Sequence, residues 1–451
     1  MKKKAFFAIL LGFFFSSIFS FYTISKYNNY EKSTDDKHYH SLIKGVNANH
    51  WLKAKMTKDQ LSSGKNYFET GDAHDRNYLP SRIFLIYSFI SNDELLDSEY
   101  KIVTNNKKLF FLIFQSFLYF LILFFFARRL FELFDPLPAF FITSFLALEP
   151  SLNQWHSSFW SESIFVSLQL LFFYIIIDKN INLKKIIFGG LILGLMFLQR
   201  SATILYIFPL IIFFFFYFKK EKTKFLCFFI ISFLIIVSLS GFHNLIRAGK
   251  FYIAPLDTKY ALKIHMLPDV LSKVENISNL DATSKVNKTV EDLKDKNVDL
   301  KDEKNLIKYY KRVQNYSYDY ILKNPFQTLK IIFERSLHTG VFDPVHVFNF
   351  HRFEYKSKIN PWLKSEEHKF WIPIRISYSL IIYVISIFGL ITLFNKDRKI
   401  FFYCLFSILY FFFILSWLGN PRYFTPCIIY LSFFFGFGFN YIIEKRFYKI
   451  R

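Results

Sequence analysis

The chain has 451 residues, of which 53% are hydrophobic and 22% aromatic, and it carries a formal net charge of +22. Its apolar residues come in long runs such as SATILYIFPLIIFFFFYF, which excludes a water-soluble multidomain protein and points to a polytopic membrane protein. The basic charge does not imply nucleic acid as a partner, because Lys and Arg sit largely in short clusters between apolar runs, where they set membrane orientation.

The N-terminal MKKKAFFAILLGFFFSSIFSFYTIS has a basic start and an apolar core longer than a signal-peptide core, and reads as a retained first span. Further apolar runs fall at roughly 109–127, 137–149, 163–177, 186–198, 202–218, 225–241, 371–394, 400–418 and 424–442. Those after Leu137 and Ile186 are the shortest. Cys227, Cys404 and Cys427 all lie inside such runs and read as small buried hydrophobes rather than a disulfide framework. Placing the N-terminal KKK in the cytoplasm puts Arg128 and Arg129, KNINLKK, KKEKTK, NKDRK and the tail EKRFYKIR on that side as well. Reversing the chain would export every one of these clusters, against the positive-inside rule.

The expected fold is therefore an all-α polytopic membrane protein with about ten transmembrane helices and both termini cytoplasmic. Residues 25–108 form an external first loop, and a large external loop follows the seventh helix. Three units are expected: a transmembrane catalytic module over 1–241, an external loop with an amphipathic interfacial helix over 242–370, and C-terminal transmembrane helices over 371–451. Within the external loop, KVNKTVEDLKDKNVDLKDEKNLIKYYKRV reads as a solvated helix, and DYILKNPFQTLKIIFERSLHTGVF as the segment lying along the membrane. No charge falls mid-span and no internal repeat is visible, which weighs against an ion-coupled carrier.

Chemistry-bearing residues collect on the external side. STDDKHYHS supplies Asp35 and Asp36, and GDAHDRNYLPSR supplies Arg76. Glu149 ends the third run, Glu162 opens the fourth, and Gln199 and Arg200 occupy the turn after the fifth. Arg247 follows the seventh run and Arg422 precedes the last. Each has an ordinary reading: arginines at span ends are interfacial anchors, and acids near helix N-termini meet the dipole. That second reading suits Glu162 and suits Glu149, at an outgoing end, poorly. His156 and His338 have no partners at metal-ligand spacing. Together, carboxylates and arginines at one membrane face suit a reaction on an anionic lipid. Outside the cytoplasm an activated sugar must arrive on a lipid such as a polyprenyl phosphate. Arginines would bind the phosphate through charge-assisted hydrogen bonds, and a carboxylate would serve as general base to the attacking acceptor. There is no GxSxG, Walker loop or HExxH.

At this point the chain resembles the GT-C superfamily of integral-membrane glycosyltransferases, and especially bacterial relatives of protein O-mannosyltransferases and the lipid A aminoarabinose transferase. DDKHYHSLIKG resembles that family's acidic pair followed by a tyrosine, which implies Asp35 and Asp36 as catalytic carboxylates and Tyr39 as a substrate contact. DRNYLPSRIFLIYSF is similar to the later basic-Pro-Pro-aromatic stretch of that loop, with only Pro80 kept and Arg76 at the phosphate-binding position. FFFARRLFE resembles the inner end of the family's second span. WSESIFVSL (Glu162), LQRSATIL (Arg200, with Ser201 in place of proline), NLIRAGKFYIAPL (Arg247) and PRYFTPCIIYL (Arg422) follow in the family's order. DYILKNPFQTLK resembles the loop helix that follows the seventh span. The resemblance implies an inverting transfer from a polyprenyl-phosphate-linked sugar to a glycan, lipid or protein acceptor, in a bacterial inner membrane. Some members hold a divalent metal ion through loop carboxylates. Glu149 is the candidate ligand here, without the paired acid expected beside it. The competing readings are an O-antigen-type polymerase or ligase, which would rely on loop arginines and a histidine, and a lipid-linked oligosaccharide flippase, which would need a polar path through the bundle.

Overall fold

The computed structural model describes residues 1–27, 78–91, 106–156, 161–178, 181–217, 221–248, 251–253, 262–294, 303–337, 366–415 and 424–448. No strand occurs among them. In chain order the helices are α1 (Lys2–Tyr27), α2 (Tyr78–Ser91), α3 (Asn106–Leu133), α4 (Pro136–Leu148), α5 (Pro150–His156), α6 (Glu162–Ile176), α7 (Leu183–Gln199), α8 (Ile207–Tyr217) and α9 (Lys222–Ala248). They continue as α10 (Leu267–Glu275), α11 (Asn279–Asp292), α12 (Glu303–Lys323), α13 (Pro325–Leu337), α14 (Glu366–Lys396), α15 (Arg398–Leu415) and α16 (Thr425–Tyr448). A 3₁₀ turn, Ser201–Tyr206, leads into α8.

Among the described residues nine of the ten apolar runs fall on a single helix, and the run 202–218 is divided between the 3₁₀ turn and α8. Five helices, α1, α3, α9, α14 and α16, contain apolar stretches of 21 residues or more, long enough to cross a membrane. Pro136–Leu148, Glu162–Ile176 and Ser201–Phe215 are shorter apolar helices. The central helix is α16: 72% of its apolar window is buried, against 33% in α1, α9 and α14. One hydrophobic core joins helices from both halves of the chain, with Tyr119, Phe165, Phe173 and Tyr206 packed together with Phe411, Tyr430 and Phe433.

Helices approach most closely where a side chain is missing. A Cβ on Gly389 of α14 would overlap the Phe434 carbonyl of α16, and one on Gly438 would overlap the Ile385 carbonyl. Small residues of this kind let backbones meet where lipid offers no hydrophobic drive to association. Gly190 and Gly194 of α7 face Phe229 and Ile236 of α9 in the same way, and the rising order of both pairs makes those helices parallel.

The bundle has two chemically different ends. At one, Arg129 at the end of α3 pairs with Asp178 beyond α6, Lys185 of α7 meets the same carboxylate at 2.5 Å, and Lys396 of α14 meets Asp135 at 2.9 Å. These are the basic clusters that the sequence places on one side. The opposite end gathers the C-termini of α4, α7 and α9 with the N-termini of α6 and α16.

The segment read as one solvated helix is two. α11 and α12 fold against α10 over a separate small core of Leu267, Leu271, Val286, Val290, Tyr309 and Val313. The charged spacing that suggested a continuous exposed helix hides an apolar stripe on each piece. Pro325 then divides α12 from α13 because its ring cannot continue the preceding helix. Phe326, Leu329 and Phe333 of α13 remain more than half exposed. Cys404 and Cys427 are buried as expected, but Cys227 is exposed, because it lies on an outward face of α9.

Candidate functional site

Construction of the opposite end begins at Pro150. A residue before proline is pushed out of the helical region, and Glu149 accordingly ends α4 in extended backbone, φ −61° and ψ 118°. Proline is also favoured in the first turn of a helix, where its missing N–H costs nothing, and α5 starts there. Glu149 is thereby both the end of one helix and the cap of the next. Its Oε2 accepts hydrogen bonds from the Ser151 amide at 2.6 Å, the Ser151 hydroxyl at 2.8 Å and the Leu152 amide at 3.4 Å. The expectation that capping suits Glu149 poorly is corrected, because the relevant helix is the one that follows. The carboxyl is 4% exposed, and burial pushes it up to about 7 despite the opposing hydrogen bonds from Ser151 and Leu152.

α5 is anchored on all sides. His156 is fully buried, with Nδ1 2.8 Å from the Ser163 hydroxyl and its ring 4.1 Å from that of Tyr119. Its carbonyl accepts from Gln115 Nε2 at 2.6 Å. Burial holds the imidazole down near about 3, so it is neutral and structural. Trp155 Nε1 donates to the Thr425 hydroxyl at 2.8 Å, which ties α5 to the start of α16. Sequence reasoning missed these supports. The one available signal was the Glu-Pro-Ser triplet, which reads as a helix stop followed by a cap.

The second carboxylate is in a different setting. Glu162 occupies the first turn of α6 and is 1% exposed. Its Oε1 lies 3.4 Å from Nη2 of Arg200, itself 7% exposed at the extended C-cap of α7. The Arg200 guanidinium also stands over the Phe165 ring at 5.5 Å. Gln199 Nε2 donates to the Ser161 carbonyl at 2.9 Å, locking the end of α7 onto the start of α6. Two residues that the sequence assigned separately to substrate binding are thus each other's partners.

Arg247 lies in the last turn of α9, which runs parallel to α7 and ends at the same end of the bundle. Asp35, Asp36, Tyr39, Arg76 and Arg422 lie outside the described residues. Among the described residues no group of three or more His, Cys, Asp or Glu side chains could hold a metal ion. Glu149 alone does not make such a site, and one of its oxygens is engaged in capping.

No family model and no curated protein matches the sequence. The fold does have solved counterparts. The archaeal oligosaccharyltransferase AglB from Archaeoglobus fulgidus, in complex with an inhibitory peptide and a dolichol-phosphate, is similar with a TM-score of 0.51 at 10% identity, over 98% of this chain and 51% of that one. The apo form of the Archaeoglobus fulgidus oligosaccharyltransferase aligns at 13% identity with a TM-score of 0.49, over 97% and 51%. The chain thus spans about half the length of those proteins. The likeness is one of fold alone.

Proposed function

We propose that this chain is a membrane glycosyltransferase that moves a glycan from a lipid-linked donor to an acceptor at the end of the bundle opposite its basic clusters. The observation that carries the reading is the coincidence of two independent likenesses. Short motifs in GT-C order run along the sequence, and a GT-C-type fold accounts for 98% of the chain. The dolichol-phosphate and peptide bound to the archaeal neighbour support a lipid phosphate as leaving group and a peptide or protein among the acceptors.

In this mechanism the donor is a polyprenyl-phosphate-linked sugar. Asp35, with Asp36 beside it, takes the proton from the acceptor hydroxyl or amine as that atom attacks the anomeric carbon. The bond from that carbon to the phosphate oxygen breaks on the opposite face, inverting the centre. Arginine guanidinium groups at Arg200, Arg247 and Arg422 stabilise the departing lipid phosphate, with Tyr39 and Arg76 as further contacts. Arg200 is held by Glu162, so its charge is pre-positioned and already partly compensated. The bundle then sits in a bacterial inner membrane with about ten spans, its basic end and both termini cytoplasmic. The units are 1–241 for catalysis, 242–370 outside and 371–451 as closing helices.

The test is transfer from a radiolabelled polyprenyl-phosphate sugar by purified protein in liposomes. The Asp35→Asn/Asp36→Asn double variant should lose transfer by at least 10²-fold while retaining the wild-type melting temperature and donor binding. Undiminished transfer by that variant would remove the assignment.

A further inference from the structure

A groove of about 580 Å³ runs between α1 and α4 on the outside of the bundle, from the basic end toward the Glu149 end of α4. Its walls are mainly apolar: Phe7, Ala8 and Leu11 of α1 face Phe141 and Leu148 of α4, with Ser144 of α4 between them. Lys3 and Lys4 stand at its mouth, at the basic end of the bundle. From Lys3 to Leu11 the groove is roughly 12 Å long at the helical rise of about 1.5 Å per residue. It closes at Gly12, where the two helices meet so tightly that a Cβ would overlap the Ala147 carbonyl.

The electrostatics at the mouth are one-sided. The first turn of α1 holds Lys2, Lys3 and Lys4 and no acid, which sets three cations at the positive end of a helix dipole. Lys2 has Glu132 of α3 within electrostatic reach. No carboxylate among the described residues pairs with Lys3 or Lys4. An apolar slot with a cationic mouth, on a surface already facing lipid, matches an amphiphile with an anionic head.

We propose that this groove binds one acidic phospholipid, with an acyl chain lying between Phe7, Ala8, Phe141 and Leu148 and the headgroup phosphate against Lys3 and Lys4. The phosphate neutralises charge that α1 itself leaves uncompensated, and the acyl chain fills the space left above the Gly12–Ala147 contact. Zwitterionic lipid supplies the chain but brings its own cation to the mouth, so selectivity follows from the headgroup.

Native mass spectrometry of the full chain, released from mixed phosphatidylglycerol and phosphatidylcholine nanodiscs, tests this. The expected result is one phosphatidylglycerol retained per chain, with phosphatidylcholine at least tenfold less. K3Q/K4Q should abolish that preference, and A8F should reduce retention of both lipids by filling the slot. K222Q/K224Q, which removes basic charge from the start of α9, should leave the preference intact. The K3Q/K4Q change lies on exposed residues, so its melting temperature should match the wild type. Equal retention of the two lipids by wild type would overturn the proposal. So would an unchanged preference in K3Q/K4Q, or a second copy of the chain covering the groove in crosslinking at Phe7→Cys.

Discussion

The Glu162 carboxylate and the Arg200 guanidinium lie 3.4 Å apart with almost no exposure, and they join the first turn of α6 to the residue that caps the C-terminus of α7. A buried pair of this kind is a poor source of net stability, but it is costly to break one-sidedly, because the remaining charge has no water to replace its partner.

The first prediction follows from that asymmetry. Arg200→Gln or Glu162→Gln alone should destabilise the fold by about 3–5 kcal/mol. The double variant should recover most of the loss in thermal unfolding while transfer stays impaired. A double variant no more stable than either single change would show that the two groups do not compensate each other.

Glu149 predicts a pH dependence with a definite sign. Its folded value of about 7 lies above the ordinary 4.5, so the folded state holds the proton more tightly than the unfolded state. Its stabilising contribution is complete below the unfolded value and is lost as pH rises through about 7, on the order of 3 kcal/mol. The difference in melting temperature between wild type and Glu149→Gln should therefore shift against wild type between about pH 5 and pH 8. Parallel melting curves across that range would contradict the burial argument.

The crossing of α14 and α16 should tolerate no side chain. Gly389→Leu places carbon on the Phe434 carbonyl and should cost at least 1–3 kcal/mol as overpacking. The readout is loss of a monodisperse peak in detergent, with Gly389→Ala falling between the two. Wild-type behaviour of the leucine variant would mean that the helices are not in contact there.

If α13 lies along the bilayer, its exposed apolar face is in lipid. Phe326, Leu329 and Phe333 are 83%, 63% and 52% exposed. A Phe326→Trp reporter should be quenched by lipids brominated near the headgroup and little affected by aqueous iodide. Strong iodide quenching would place that face in water.

Much of the helical framework was legible because hydropathy is a property of short stretches: apart from single residues at run ends, the described residues of every apolar run are helical, with only 202–206 in a 3₁₀ turn. What failed were features set by neighbours distant in sequence. The Glu162–Arg200 partnership depends on α6 and α7 folding back on each other, which no local pattern encodes. The capping role of Glu149 was in principle readable from Pro150, yet a helix of seven residues is too short to announce itself by periodicity. The break between α11 and α12 was hidden because the charges on their solvent faces share one spacing. For the site, Glu149, Glu162 and Arg200 are located with their contacts, whereas Asp35 and Asp36 lie outside the described residues.

The outer helical unit is fastened to the bundle at two separate places among the described residues. Near the end of α9, Asn244 Nδ2 donates to the Tyr252 carbonyl at 2.6 Å and Ser240 Oγ donates to the Ile253 carbonyl at 3.2 Å. The second is at Ser336 of α13, whose Oγ donates to the Phe412 carbonyl of α15 at 3.1 Å. Each of these attachments runs from a side chain to a backbone carbonyl, so each depends on the identity of the donor alone and survives a change of side chain at Tyr252, Ile253 or Phe412 that leaves the backbone in place.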